Sequence, residues 1–215
     1  MKARRGRFIS FEGGEGAGKS TVIHAVRERL SARGIHFEST REPGGTPLAE
    51  AIRALALGAQ WQGQMCAETE LLLVFAARAQ HVRERVLPLL ESGVWVVADR
   101  FTDASFAYQG GGRGQPLERI QALEQWAACG LQPELTFLLD VPVATGLARA
   151  RARGERDRME LEQEAFFERV RQAYLARAAE FPQRFRTIDA SRSQADVASA
   201  VLSELDAWLP PAVSS

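Results

Sequence analysis

The stretch Phe8-Ile-Ser-Phe-Glu-Gly-Gly-Glu-Gly-Ala-Gly-Lys-Ser-Thr21 constrains this chain more than any other. Its apolar start, Phe8 to Phe11, predicts a short strand, the glycines a turn, and the residues from about Gly18 a helix. Gly13 to Ser20 fits G-x-x-x-x-G-K-[ST], the P-loop pattern, in the strand–turn–helix setting that gives the pattern meaning. Gly13, Gly14, Glu15, Gly16, Ala17 and Gly18 can turn successive backbone N–H groups toward one anion, a nest that bulkier side chains would obstruct. The helix that follows points its positive end at the same phosphates. Lys19 is spaced to reach the β- and γ-phosphates and the Ser20 hydroxyl to ligate Mg²⁺, with Thr21 closing the ATP-binding set. A glycine turn that only caps a helix is the plainer alternative. Lysine usage argues against it: of 27 basic residues only Lys2 and Lys19 are lysine. A chain that uses arginine elsewhere keeps the compact ammonium where a broad planar fork would not fit.

Further strands are expected at Ile35–Thr40, Gly93–Ala98, Leu135–Val141 and Phe185–Asp189, after a first at Arg7–Glu12. Gly93–Ala98 is a continuous β-favouring run, the mark of a strand buried on both faces. Helices are expected at about 18–32, 47–57, 67–91 (bent near Pro88), in a short piece after Asp99-Arg100, and at 116–129, 143–152, 160–181 and 193–209, with Gly110–Gly114 as a loop. Thr46 reads as an N-cap with Pro47 in the first turn. Alternating strands and helices predict an α/β P-loop NTPase fold: a five-stranded parallel sheet, helices on both faces, ligands at the carboxyl ends of the strands.

A length of 215 residues suits one domain, with a basic frayed leader over 1–6 and a disordered Pro-rich tail over 210–215. Acidic and basic residues balance at 27 each, which argues against a general nucleic-acid or membrane-surface binder. Cys66 and Cys129 have no ligand spacing and read as reduced thiols. With no signal-peptide run and no apolar stretch near the roughly 20 residues of a membrane span, a cytoplasmic protein is expected.

Asp99 closes the apolar strand where a P-loop protein needs a carboxylate near its metal, and Arg100 follows at the same sheet edge, placed to clamp phosphate. Phe75 and Arg78, three apart on one helix, share a face, and could stack on and donate to a base. His24, His36 and His81 are scattered and pair with no nucleophile, so they read as solvent or packing residues.

The segment Asp99-Arg-Phe-Thr-Asp-Ala-Ser-Phe-Ala-Tyr-Gln-Gly110, taken with Gly-Gly-Glu-Gly-Ala-Gly-Lys-Ser, Arg-Glu-Pro-Gly-Gly-Thr and Phe-Ala-Ala-Arg, closely resembles the bacterial type of thymidylate kinase over about residues 7 to 190. The resemblance implies transfer of the γ-phosphoryl of ATP to dTMP with Mg²⁺, and typically a homodimer. The acceptor is itself a phosphate anion, so the chemistry needs positive charge and alignment more than a base. The resemblance assigns Lys19, Arg100, Arg153, Glu15 and Asp99 to catalysis, with Glu15 meeting the sugar 3′-hydroxyl. It places Arg41, Glu42 and Arg53 in the dTMP site, with arginine, Arg53 ahead of Arg41, gripping the acceptor phosphate; it assigns Phe75 and Arg78 to the base, Ser105 and Gln109 to the pyrimidine edge, and Tyr108 to the sugar. Many members carry the stacking Phe four residues before the Arg, which here is Val74, so either Val74 or Phe75 faces the base. Pro43 is expected to follow a cis peptide. Arg149, Arg151, Arg153, Arg156 and Arg158 fall within ten residues and resemble the lid, about 149–160, with Arg153 first and Arg149 and Arg158 next. The competing readings are another nucleotide or nucleoside kinase on the same scaffold, a nucleotide-sensing switch or partitioning-type ATPase, and a non-enzymatic binding module.

Overall fold

The computed structural model describes residues 5–152 and 158–210. Five parallel strands, β1 (Phe8–Glu12), β2 (Phe37–Arg41), β3 (Trp95–Asp99), β4 (Leu135–Asp140) and β5 (Phe185–Asp189), pair in the order β2-β3-β1-β4-β5. This is the expected five-stranded parallel sheet, and β1 sits at its centre with every residue buried. Its side chains alternate. Ile9 and Phe11 face α1 (Lys19–Ala32) and α9 (Gln194–Trp208), packing with Val22, Val26 and Leu30 on one and Val197, Val201 and Leu205 on the other. Phe8 points to the opposite face, among Val82, Val86 and Leu90. Burying each such side chain is worth about 1.5–3 kcal/mol, so a strand covered on both sides reads apolar throughout.

All five strands end in a charged residue: Glu12, Arg41, Asp99, Asp140 and Asp189. The carboxyl edge of the sheet is therefore where the chemistry can sit.

The local signals place α2 (Pro47–Leu57) on its expected bounds, with the Thr46 hydroxyl accepting from Ala49 N–H at 3.4 Å. The long helix expected over 67–91 is α3 (Ala67–His81), a wide π turn over Val82–Val86 and α4 (Leu87–Glu91). The break thus lies just ahead of Pro88, whose ring cannot donate back to the preceding turn.

Three expectations change. Gly6 is not frayed: its N–H donates to Leu90 O at 2.8 Å, while residues 1–4 lie outside the described residues. Pro210, read as tail, accepts from Arg33 at 3.1 Å, and 211–215 lie outside. The Gly110–Gly114 run is mostly not a loop. After α5 (Thr102–Ser105) a π-helical turn runs from Phe106 to Gly112, before α6 (Leu117–Ala127). A Cβ on Gly111 would lie 2.6 Å from Ala173 Cβ and 2.8 Å from Arg169 O, so these glycines let α8 (Glu164–Glu180) pack directly on backbone. Between β4 and α8 runs α7 (Val143–Arg151).

Candidate active site

The glycine cradle joins β1 to α1. Gly16, at φ 69°, faces the backbone of Gly146 on α7 so closely that a Cβ on either would strike the other strand of chain. Gly18 caps α1 with no side-chain hydrogen bond, and the first turn carries no acid. Its N–H groups and positive end are therefore left for an anion. Lys19 is half-buried, its Nζ 3.4 Å from Gly13 O. Desolvation and then Arg100 pull its ammonium below the ordinary value, against the attraction of Asp99, Glu15 and Glu12.

In front of the cradle lies a cavity of about 320 Å³. Glu15, Gly16, Ala17, Gly18, Lys19 and Ser20 form one wall; Arg41, Glu42, Arg53, Arg78, Asp99, Arg100, Ser105, Tyr108 and Gln109 are among the residues of the others. Of the residues assigned to the acceptor from sequence, only Phe75 is not in this lining. Behind the cradle, Gly16–Val22, Arg149, Arg192 and Ser193 border a second cavity of about 560 Å³.

Arg100 is the centre of the arrangement. Its backbone adopts φ 70°, rare for a residue with a side chain, directly after β3. Nη1 donates to Gly13 O and to Tyr174 Oη at 3.0 Å each; Nη2 donates to Glu15 Oε1 at 2.9 Å and Tyr108 Oη at 3.0 Å. The chain has two tyrosines, and both hydroxyls end on this one guanidinium. Burial opposes its charge, but Tyr108, Tyr174, Glu15 and Asp99 outweigh that and raise its pKa well above the ordinary value. Tyr108 also donates to Glu15 Oε1 at 2.8 Å. Glu15 thus sits among donors inside the loop, which accounts for a carboxylate beside a phosphate cradle.

Glu12 was not singled out from sequence. It is fully buried at the end of β1, accepting from Phe101 N–H at 2.7 Å and from Tyr174 at 2.7 Å. It therefore holds both the backbone after Arg100 and the tyrosine that accepts from it. The signal was present as an acid ending an apolar strand. Tyr174 had none, because its approach depends on how α8 packs.

On the opposite wall Glu42, 3 % exposed, accepts from Arg78 Nε at 2.6 Å and His81 Nδ1 at 2.9 Å. Burial would raise its pKa, but Arg78 and His81 together bring it below the ordinary carboxylate value. Arg78 further donates to Ser105 Oγ at 2.9 Å and Phe101 O at 3.1 Å. His81, read as a solvent or packing residue, is buried and hydrogen-bonded, its Nε2 2.7 Å from Thr40 Oγ1. The Glu42–Pro43 peptide is cis, as expected. Arg53 donates to Pro43 O at 2.8 Å and Arg41 to Glu50 at 2.9 Å, both at the cavity mouth.

Two placements differ from the sequence assignments. Phe75 is buried with Leu71, Phe106, Ile120 and Ala127, its ring 4.5 Å under the Arg78 guanidinium, and Val74 lines the cavity instead. Adjacent helical residues point about 100° apart, and the larger ring takes the core position. Arg158, assigned to ATP, is 3 % exposed and donates to Ala56 O and to Glu70 Oε2, at 2.6 Å for the latter, on the wall away from the cradle. Arg149 stays beside the second cavity, donating to Ala190 O at 2.8 Å. Arg153 and Arg156 lie outside the described residues.

A glycine cradle between β1 and α1 on a five-stranded parallel sheet, with one cavity before it and another behind, defines a protein of the P-loop NTPase fold. The sequence profile described as Thymidylate kinase matches residues 11–201. The thymidylate kinase of Alkalilimnicola ehrlichii is 56 % identical over 211 residues, covering 98 % of this chain and 95 % of that one. That of Chromohalobacter salexigens is 56 % identical over 94 % of this chain and 98 % of its own. That of Cupriavidus metallidurans is 58 % identical over 88 % and 92 %. The chain belongs to the thymidylate kinase family.

Proposed function

We infer that this chain transfers the γ-phosphoryl group of ATP to dTMP, giving dTDP and ADP, on the way to the dTTP used in DNA replication. One observation carries the reading: Arg100 reaches the cradle at Gly13 and, through Glu15 and Tyr108, the cavity in front of it, so one cation borders both anion positions. In the reaction the bond from the γ-phosphorus to the ADP oxygen breaks and a bond to a dTMP phosphate oxygen forms. The attacking oxygen is already anionic and needs no base.

The cradle N–H groups and Lys19 hold the β- and γ-phosphates, and the cavity beside Arg149 takes the rest of ATP. Arg53, with Arg41, grips the acceptor phosphate; Glu15 accepts from the 3′-hydroxyl, with Tyr108 beside the sugar. Arg78, Ser105 and Gln109 meet the base over Val74, and Glu42 holds Arg78 in place. Arg153 belongs to the same reading as the lid cation, on the resemblance alone. Arg158 is better read as an anchor of the acceptor wall.

The donor set suits Mg²⁺. Ser20 offers a hydroxyl beside the cradle, and Asp99 Oδ1 is buried with no hydrogen-bond partner among the described residues. Hard oxygen ligands in small number, completed by phosphate and water, are what Mg²⁺ takes. Bound there it would offset charge on the phosphate oxygens.

A homodimer belongs to the proposal, resting on exposed Leu72, Leu117 and Trp126 on α3 and α6, which pack together. So does a cytoplasmic setting, with Cys66 and Cys129 as free thiols; no helix among the described residues is long and apolar enough to cross a membrane. The test is a product assay with ATP, Mg²⁺ and each nucleoside monophosphate in turn. dTDP should form with clear preference for dTMP, and Lys19→Ala should cut kcat by about a hundredfold or more while the fold persists. No dTDP from folded protein refutes the assignment.

A further inference from the structure

The cavity wall holds one more carboxylate, Glu70 on α3, 1 % exposed. Its Oε1 accepts from Gln109 Nε2 at 2.9 Å; its Oε2 accepts from Arg113 Nε at 3.0 Å and Arg158 Nη2 at 2.6 Å. A carboxylate offers acceptors only, so Gln109 must turn its NH₂ toward Glu70. The hydrogen-bond network thus sets which way the amide faces. Gln109 Oε1 is left for the cavity, with no protein partner among the described residues.

The neighbouring polar groups are less selective. Ser105 Oγ accepts from Arg78 and keeps both a lone pair and a rotatable proton, so it can meet a donor or an acceptor. Arg78 can serve any base bearing a carbonyl oxygen, and all pyrimidines have one. The locked carbonyl of Gln109 is the group that distinguishes a ring N–H from a bare ring nitrogen.

We propose that Glu70 sets the base choice: by fixing the Gln109 amide it makes the site accept pyrimidines with a ring N–H, of thymine or uracil type, and refuse cytosine. This rests on the front cavity being the acceptor site. Glu70 is a positioning residue, acting on the substrate only through Gln109. Specificity of this sort is a difference between two affinities, and here the unfavourable half is a carbonyl set against a lone pair.

Glu70→Gln tests it. Arg113 and Arg158 hold the carbonyl of the introduced amide, which turns its NH₂ to Gln109. Gln109 must then offer its own carbonyl to position 70 and its NH₂ to the cavity. The dTMP-to-dCMP ratio of kcat/KM should fall about tenfold to a hundredfold, the size of one mispaired buried group, mainly through KM, with dTMP and dUMP losing in parallel. A folded variant whose ratio is unchanged overturns the inference.

Gln109→Ala covers the case in which Glu70→Gln does not fold, because it leaves the Glu70–Arg158 contact in place. Its preference for dTMP over dCMP should shrink by a similar factor, and a preserved preference is equally fatal. A wild-type chain inactive on dTMP, dUMP and dCMP alike overturns the acceptor-site reading and this inference with it. A selective wild type whose preference survives in the variants overturns this inference alone.

Discussion

Burial first, and then the nearby Asp103, lift the Glu12 carboxyl from an ordinary 4.5 to about 8, against the pull of Arg100 and the hydrogen bonds from Tyr174 and Phe101. The folded chain therefore keeps a proton that the unfolded chain releases near 4.5, so folding takes up a proton between 4.5 and about 8. Stability contributed by this group is complete below that window and is lost as pH rises through it. Glu12→Gln keeps an acceptor for Phe101 N–H and removes the titration. Thermal melts from about pH 5 to about pH 9 should show a decline in wild-type Tm that the variant largely lacks, and parallel curves would refute the assignment. A second residue-scale test separates Phe75 from Val74. Phe75→Leu alters the core under Arg78, so it should cost about 1 kcal/mol in urea unfolding while the KM for dTMP changes little. Val74→Asp places a charge in the cavity and should raise that KM about tenfold or more. The pairing of Phe75 and Val74 also shows where sequence stops. Both are apolar neighbours on one helix, and only the positions of Phe106 and Ile120 decide which of them is core.

Elements whose ends are set by local chemistry were legible. Thr46 and Pro47 bound α2 because a hydroxyl cap and a fixed φ act within a single turn. The P-loop was legible for the same reason: nest, helix end and lysine are all neighbours in sequence. The triple glycine at 110–112 was misread because its cause lies in α8, about 60 residues further on. That packing has a consequence for the site, since α8 carries Tyr174 to Arg100. Gly111→Ala puts a Cβ against Ala173 and the Arg169 carbonyl, so α8 must move outward. It should cost about 1–3 kcal/mol in urea unfolding and raise the KM for dTMP. Gly114→Ala is the control: φ is 73° but nothing lies within 4 Å of the added Cβ. It should cost about 1–2 kcal/mol, the left-handed backbone penalty, and leave KM unchanged. Equal KM effects from both substitutions would remove α8 from the positioning of Arg100.

At the scale of the whole molecule, the fold was legible because a strand covered on both faces leaves an unbroken apolar run, and three of the five strands, β1, β3 and β4, are such runs or nearly so. Charges clustered at the carboxyl edge were legible too, but their partners were not: Arg100, Glu12 and Tyr174 meet from three separate elements. The surface poses the remaining question. Leu72, Leu117 and Trp126 are 58 %, 51 % and 73 % exposed, on two helices that pack against each other. Large apolar side chains left open on adjoining helices suit a symmetric pair of copies, in which one patch meets itself. The inner face of α3 carries Glu70, Val74 and Arg78 into the cavity, and Leu72 points the other way. Sedimentation of the wild type should give twice the 23.7 kDa chain mass. Leu72→Glu combined with Trp126→Glu should give the single-chain mass, with kcat/KM for dTMP within about threefold of wild type, because the altered face lies apart from the site. A wild type that sediments as one chain refutes the interface. A monomeric variant without activity would mean that the outer face of α3 supports the inner one.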